Sequence, residues 1–306
     1  MSKSTLLPYL EVLFAVIVWG ASFIATKIAL VEISPISIVW LRFTMGVIVL
    51  GIAVALRKQF ALPNKNEWGY FAMLGFLGIT FHQWLQSNGL QTSEASTTAW
   101  IVATTPVFMA LLGWVLLKEG LTSIKIFGIG LAALGVFVVV SDGNLASISI
   151  GRFGAPGDIL ILISAFNWAV FSALSRRGLR KYTASLMIFY VMMLGWIFTS
   201  VLFIVGNHST EIQDLSLNGW MAITFLGIFC SGLAYIAWYD ALQALSTAET
   251  GVFLYIEPLV AVVVAFFILS EAITWASLAG GAVILLGVWL VNRPSSSTRV
   301  AANVEP

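Results

Sequence analysis

Charge is the property this sequence has least of. Of its 306 residues only 9% are Asp, Glu, Lys or Arg, against roughly 25% in soluble domains. A chain so poor in charge cannot cover a water-facing surface. Its 59% hydrophobic residues suit a molecule whose solvent is lipid. The two signs nearly cancel, leaving a net +1, so no nucleic acid or strongly charged partner is expected. One cysteine, Cys230, excludes an internal disulfide and a cysteine-built metal site. The only histidines are His82 and His208. There is no Walker A loop to hold ATP, and no triad or acid pair is identifiable. No enzyme activity, metal or cofactor is therefore expected. A cleavable leader is not expected either, because the first apolar segment is too long and lacks a clear cleavage site.

What the sequence does have is apolar length. About 20 apolar residues take a helix across a bilayer. Ten such runs occur, at 9–30, 36–56, 68–90, 95–117, 122–141, 157–177, 184–205, 219–240, 246–269 and 273–292. Strands would show dyad alternation in segments of about ten residues, and these runs do not. Positive residues favour one side of the membrane. With the N-terminus in the cytoplasm, that side holds Lys3, Arg57, Lys58, Lys65, Lys118, Lys125, Arg176, Arg177, Arg180, Lys181, Arg293 and Arg299. The opposite loops hold only Arg152. Both ends are thus expected inside, in a plasma membrane of the bacterial inner-membrane type. The polar tail 294–306 is expected to be disordered.

The chain also repeats itself. Slid along itself without a gap, Gly75 falls on Gly227, Gln91 on Gln243, Thr98 on Thr250, Pro106 on Pro258, Glu119 on Glu271, Gly128 on Gly280 and Gly135 on Gly287. At a slightly different register Trp19 falls on Trp168 and Lys27 on Arg176. The first repeat is 1–142 and the second 157–293, each with five spans. Five is odd, so the second repeat enters the membrane from the opposite side. Inverted repeats of this kind are a signature of secondary transporters, with substrate bound near the midplane between halves. The fold class is therefore all-α integral membrane, ten transmembrane helices as two inverted five-helix repeats.

Four stretches carry a family resemblance: WGASFIATKIAL at 19–30, SPISIVWLRF at 34–43, TPVFMALLGWVLLKEGLTSIKIFGIGLAALGV at 105–136, and EPLVAVVVAFFILSEAITWASLAGGAVILLGV at 257–288. With the ten spans, the chain resembles the drug/metabolite transporter superfamily, EamA branch. The resemblance implies two EamA repeats, alternating access, and export of small metabolites such as amino acids. Lys118 stands where that family often has glycine.

Charge inside the bilayer is costly, roughly 2.5–3.5 kcal/mol at a helix centre, so each such residue needs a reason. Glu257 lies mid-span and its repeat mate is Thr105. It reads as a substrate-amine or proton site, or as a hydrogen bond to a neighbouring helix. Arg42 reads as a carboxylate anchor, or as a structural partner of Glu257 or of helix carbonyls. Lys27, nearer a span end, reads as snorkelling to the interface. Pro106 and Pro258 bend their helices, and the freed carbonyls can line a cavity. The third span is the most polar, with His82, Gln83 and Gln86; Tyr235, Trp238 and Tyr239 answer in the eighth. Trp19, Trp100, Asn167, Trp168 and Tyr255 add amide and aromatic groups. Together these form an expected central substrate site whose aromatic faces suit an apolar or cationic solute. Thr122 and Thr274 read as N-caps. The glycines of the fifth and tenth spans serve packing or a homodimer. The expected function is a secondary exporter of small metabolites, amino acids foremost; a multidrug exporter or a passive channel is the alternative.

Overall fold

A computed structural model describes residues 3–118, 120–144, 154–245 and 247–293. The tail from 294 and Glu119 lie outside the described residues. Ten helical rods fill the described chain. They are α1 (Lys3–Leu30), α2 (Pro35–Leu56), α3 (68–89), α4 (95–117), α5 (Ser123–Val140), α6 (Pro156–Leu179), α7 (Ala184–Val205), α8 (Leu217–Ala244), α9 (247–269) and α10 (Trp275–Asn292). Nine are long and apolar enough to cross a membrane; α3, the polar one, is the rod whose composition falls short. Proline at the first turn starts α2 and α6, where its missing N–H costs nothing. Hydroxyls cap others: Thr122 accepts from Lys125 N, Ser216 from Gly219 N and Thr274 from Ser277 N.

The rods pack mostly across the two repeats. α1 lies on α8 and α9, and α6 lies correspondingly on α3 and α4. α2 packs on α8 as α7 does on α3, while α2–α7, α4–α9 and α5–α10 join equivalent helices. Every main contact between halves thus has its mirror, as an inverted repeat demands. The consequence is that neither half has a private core: the buried clusters mix residues of both, for instance Phe43 and Phe71 with Phe171 and Tyr190.

The α5–α10 seam shows what the small residues do. A Cβ on Gly128 would lie 2.7 Å from the Gly287 carbonyl, and one on Gly135 2.7 Å from the Gly280 carbonyl. The backbones therefore touch, and the glycine faces are consumed by packing within one chain.

α4 and α9 are broken at matching places. Helical hydrogen bonding lapses at 103–104 and 254–255, and Pro106 and Pro258 stand in the first turn of the segments that resume. In α4 the break is closed by hydroxyls, Thr104 Oγ1 to the Ile101 carbonyl at 2.6 Å and Thr105 Oγ1 to the Val102 carbonyl at 2.7 Å. α9 has Ile256 and Glu257 at these positions, so its break carries a carboxylate instead.

Both of these helices end in a left-handed residue, Lys118 at φ 54° and Ser270 at φ 57°. A side chain there costs about 1 kcal/mol relative to glycine. Lys118→Gly and Ser270→Gly are each expected to raise stability by about that amount, as a shift in detergent thermal unfolding. An unchanged or lowered midpoint in both would contradict the strain argument.

Candidate functional site

Three helices meet at Arg42. Its Nε donates to Ser231 Oγ on α8 at 3.0 Å, and its Nη1 to Gln83 Oε1 on α3 at 3.0 Å. Arg42 is only 5% exposed. Gly46, one turn further along α2, makes this possible: a Cβ there would stand 2.8 Å from the Cβ of Ser231. The absence of that Cβ lets α8 come close enough for the serine to reach the guanidinium.

Ser231 lies where helical register loosens, and Gln83 lies two residues past such a stretch. Phe76–Phe81 in α3 and Phe225–Leu233 in α8 are π-helical, and they occupy equivalent places in the two repeats. Such wide turns leave carbonyls partly free and are frequent at functional sites. Asn167 Nδ2 donates into the α3 stretch, to the Leu77 carbonyl at 2.8 Å.

Aromatic groups flank this centre on two sides. Trp19 donates to the Cys230 carbonyl at 3.1 Å, with its ring 5.5 Å from Tyr235 and 5.3 Å from Trp238. Tyr239 continues the stack at 6.4 Å from Tyr235. On the other side His82 lies 4.7 Å from Trp168, the repeat mate of Trp19, and its Nδ1 is 3.2 Å from the Ser164 carbonyl. Gln86 is half-buried one turn beyond His82.

Glu257 is half-buried at the start of the second segment of α9. α1 approaches it through Gly20, where a Cβ would meet the Glu257 carbonyl at 2.6 Å. Its carboxylate makes no hydrogen bond or ion pair among the described residues. The structural pair of Arg42 with Glu257 is therefore not formed.

Two expected site residues lie elsewhere. Trp100 is wedged between α4 and α10, donating to Ser277 Oγ at 3.1 Å and covering Gly281. The Tyr255 hydroxyl meets Asn292 Nδ2 at 3.1 Å, at the end of α10. Ser231 had escaped sequence reasoning. The signal available was a small polar residue in an otherwise apolar stretch of α8.

The two ends of the bundle are clasped by polar contacts. At the end bearing the termini, Arg57 grips Asp240 with two hydrogen bonds of 2.7 and 2.6 Å. At the opposite end, Glu271 caps the start of α4, accepting from Ala95 N at 2.8 Å, Ser96 N at 3.0 Å and Ser96 Oγ at 2.7 Å. Lys27 does not snorkel; it donates to the Ser93 carbonyl at 2.7 Å and stands 3.9 Å from Glu271. A pocket of about 530 Å³ opens here, lined by Lys27, Ile28, Glu32, Glu94, Leu269 and Glu271 among others.

Glu211 fastens the same end. Burial works to raise its pKa, but hydrogen bonds from Ser37, from His208 and from Ser34 outweigh it and bring it from 4.5 down to about 2. A depressed carboxyl pKa stabilises the fold above the unfolded value and loses that stability as pH falls through the folded one. Glu211→Gln is thus expected to lower the melting temperature at pH 7, with the gap to wild type closing between pH 4.5 and about 2. A gap that stays constant over that range would refute the assignment.

Known proteins place this arrangement. A solved crystal structure superposes over the whole length of both chains with a TM-score of 0.66 at 20% identity, which speaks to the fold. An uncharacterised transporter of Archaeoglobus fulgidus is 29% identical over 282 residues, 92% of this chain and 96% of the relative. A protein of Streptantibioticus cattleyicolor described as a probable terminal-alkyne amino-acid exporter is 27% identical over 291 residues, 94% of each. Residues 6–141 and 155–293 each match the EamA-like transporter family; with its apolar helices and inverted repeats, the chain is an integral membrane protein and a member of that family.

Proposed function

We propose that this protein is an alternating-access exporter of amino acids or closely related small metabolites. Substrate binds between the repeats, among Trp19, His82, Gln83, Gln86, Asn167, Trp168, Tyr235, Trp238, Tyr239 and Glu257, and the halves rock to expose it to one side at a time. The observation that carries this reading is Glu257, a carboxylate at the break of α9 with no partner among the described residues. A charge kept in the bilayer without a structural partner is best explained by a mobile one, an ammonium group or a proton. The amino-acid exporter among the relatives points the same way. The excess of Lys and Arg on the loops at the terminal end supports a cytoplasmic location for both termini, and a bacterial plasma membrane is part of the proposal.

The aromatic cluster of Trp19, Tyr235 and Trp238 favours a second reading, export of apolar cations. Purified protein in vesicles loaded with labelled amino acids, with and without a pH gradient, tests both. Saturable efflux of amino acids is expected. Efflux of cationic dyes alone would favour the second reading, and flux that never saturates would make the protein a channel.

A further inference from the structure

Arg42 has no counter-charge among the described residues. The ion pairs among the described residues are Lys27–Glu271, Arg57–Asp240, Lys181–Glu67 and His208–Glu211. The two groups that hold Arg42, Ser231 and Gln83, are neutral, and both are themselves buried. Buried charges in folded proteins are paired, because removal from water costs several kcal/mol per ion. Neutral hydrogen bonds to two of the five N–H groups offset only part of that cost. The Nη2 amino group makes no hydrogen bond among the described residues.

The position is also peculiar to one repeat. At the register that sets Trp19 on Trp168, Arg42 falls on Val191. Nothing in the shared scaffold calls for a cation there, since the second half builds the equivalent α7–α3 contact with a valine. Yet Arg42 is held by Ser231, within the π-helical stretch of α8, and by Gln83, just past that of α3. Ser231 and Gln83 fix the guanidinium by Nε and Nη1, one from each repeat, so its remaining donors have a set direction.

We propose that Arg42, oriented by Gln83 and Ser231, is the anion subsite of the transport site and takes the carboxylate of the substrate. This rests on the export reading above and narrows its substrate class. With Glu257 as the second charge that has no partner among the described residues, the site suits a zwitterion rather than a simple cation. The planar fork of arginine suits a carboxylate better than the point charge of lysine. Uptake of the carboxylate supplies the missing counter-charge, and its departure restores an unpaired buried cation, which holds the substrate until the site opens to water.

The test compares free acids with their amides. Phenylalanine, leucine and threonine, each beside its primary amide, are titrated into purified wild-type protein by calorimetry. Each acid is expected to bind about ten-fold or more tightly than its amide, the worth of a charge-assisted hydrogen bond. In Arg42→Gln the ratio is expected to fall to about two or less, with Arg42→Lys between. Equal binding of acid and amide by wild type would overturn the anion subsite while leaving export intact. If neither acids nor amides bind but apolar organic cations do, the subsite and the amino-acid reading fall together. The wild-type ratio decides the matter even if Arg42→Gln does not fold.

Discussion

Glu257→Gln is expected to leave a protein that folds at least as well as wild type and exports at least thirty-fold more slowly. The two halves of that statement have separate grounds. The carboxylate of Glu257 has no hydrogen bond or ion pair among the described residues, so the substitution breaks nothing. It also removes an ionisable group from a position where a charge costs roughly 2.5–3.5 kcal/mol. The melting temperature in detergent should therefore hold or rise. Losing one partner of a desolvated charge contact to the transported species costs about 2–5 kcal/mol, which is about thirty-fold or more in rate. Stability and activity thus move in opposite directions, as they do where a strained site serves function. Initial efflux rates and unfolding midpoints of the two proteins decide it. A variant that loses stability and flux together would make Glu257 a structural post.

The route to Glu257 began in the sequence and depended on asymmetry. Pro258 has a twin in Pro106, so the break belongs to the scaffold, while Glu257 stands on Thr105. The structure gives that mismatch a physical meaning. In α4 the hydroxyls of Thr104 and Thr105 close the break by bonding back to its carbonyls; α9 has no hydroxyl there and presents a charge. Ten rods, two inverted halves and the capping threonines were legible because each rests on local chemistry: apolar length, repeated rare residues, a hydroxyl before a helix.

What stayed illegible depends on distance or on hydrogen-bond register. The π-helical stretches in α3 and α8 leave the apolar pattern unbroken, so no periodicity marks them. Arg42 could be seen to need a partner, but its partners could not be named. Ser231 lies far along the chain, and only the pairing of α2 with α8 brings it within 3.0 Å. Trp100 and Tyr255 looked like site residues because an aromatic side chain on a transmembrane helix can face any of several neighbours. Their direction followed from a glycine on α10 and from an asparagine at its end. The Arg57–Asp240 clasp was missed for a related reason. Each residue alone reads as an ordinary charge near a membrane face, and only the fold joins them across the repeats.

Gly287→Val is expected to abolish recovery of folded protein, and Gly128→Val to do nearly the same. A Cβ on Gly287 would lie 2.5 Å from the Ala132 nitrogen and 2.6 Å from the Gly128 carbonyl, and one on Gly128 2.7 Å from the Gly287 carbonyl. The atoms in the way are backbone, which cannot swing aside as a side chain can. Overpacking usually costs about 1–3 kcal/mol, and a backbone clash belongs at or above the top of that range. Lipid tails are as apolar as leucine, so helices in a membrane gain their association from close packing rather than from burial. A seam forced apart therefore has little to fall back on. Gly130→Val is the control: it lies on the same helix, yet nothing stands within 4 Å of a Cβ there, and it should be recovered as wild type. Size-exclusion profiles of the three variants read the result. If Gly287→Val gives a monodisperse, active protein, α5 and α10 can separate without loss, and their glycine faces would be free to serve between two copies of the chain.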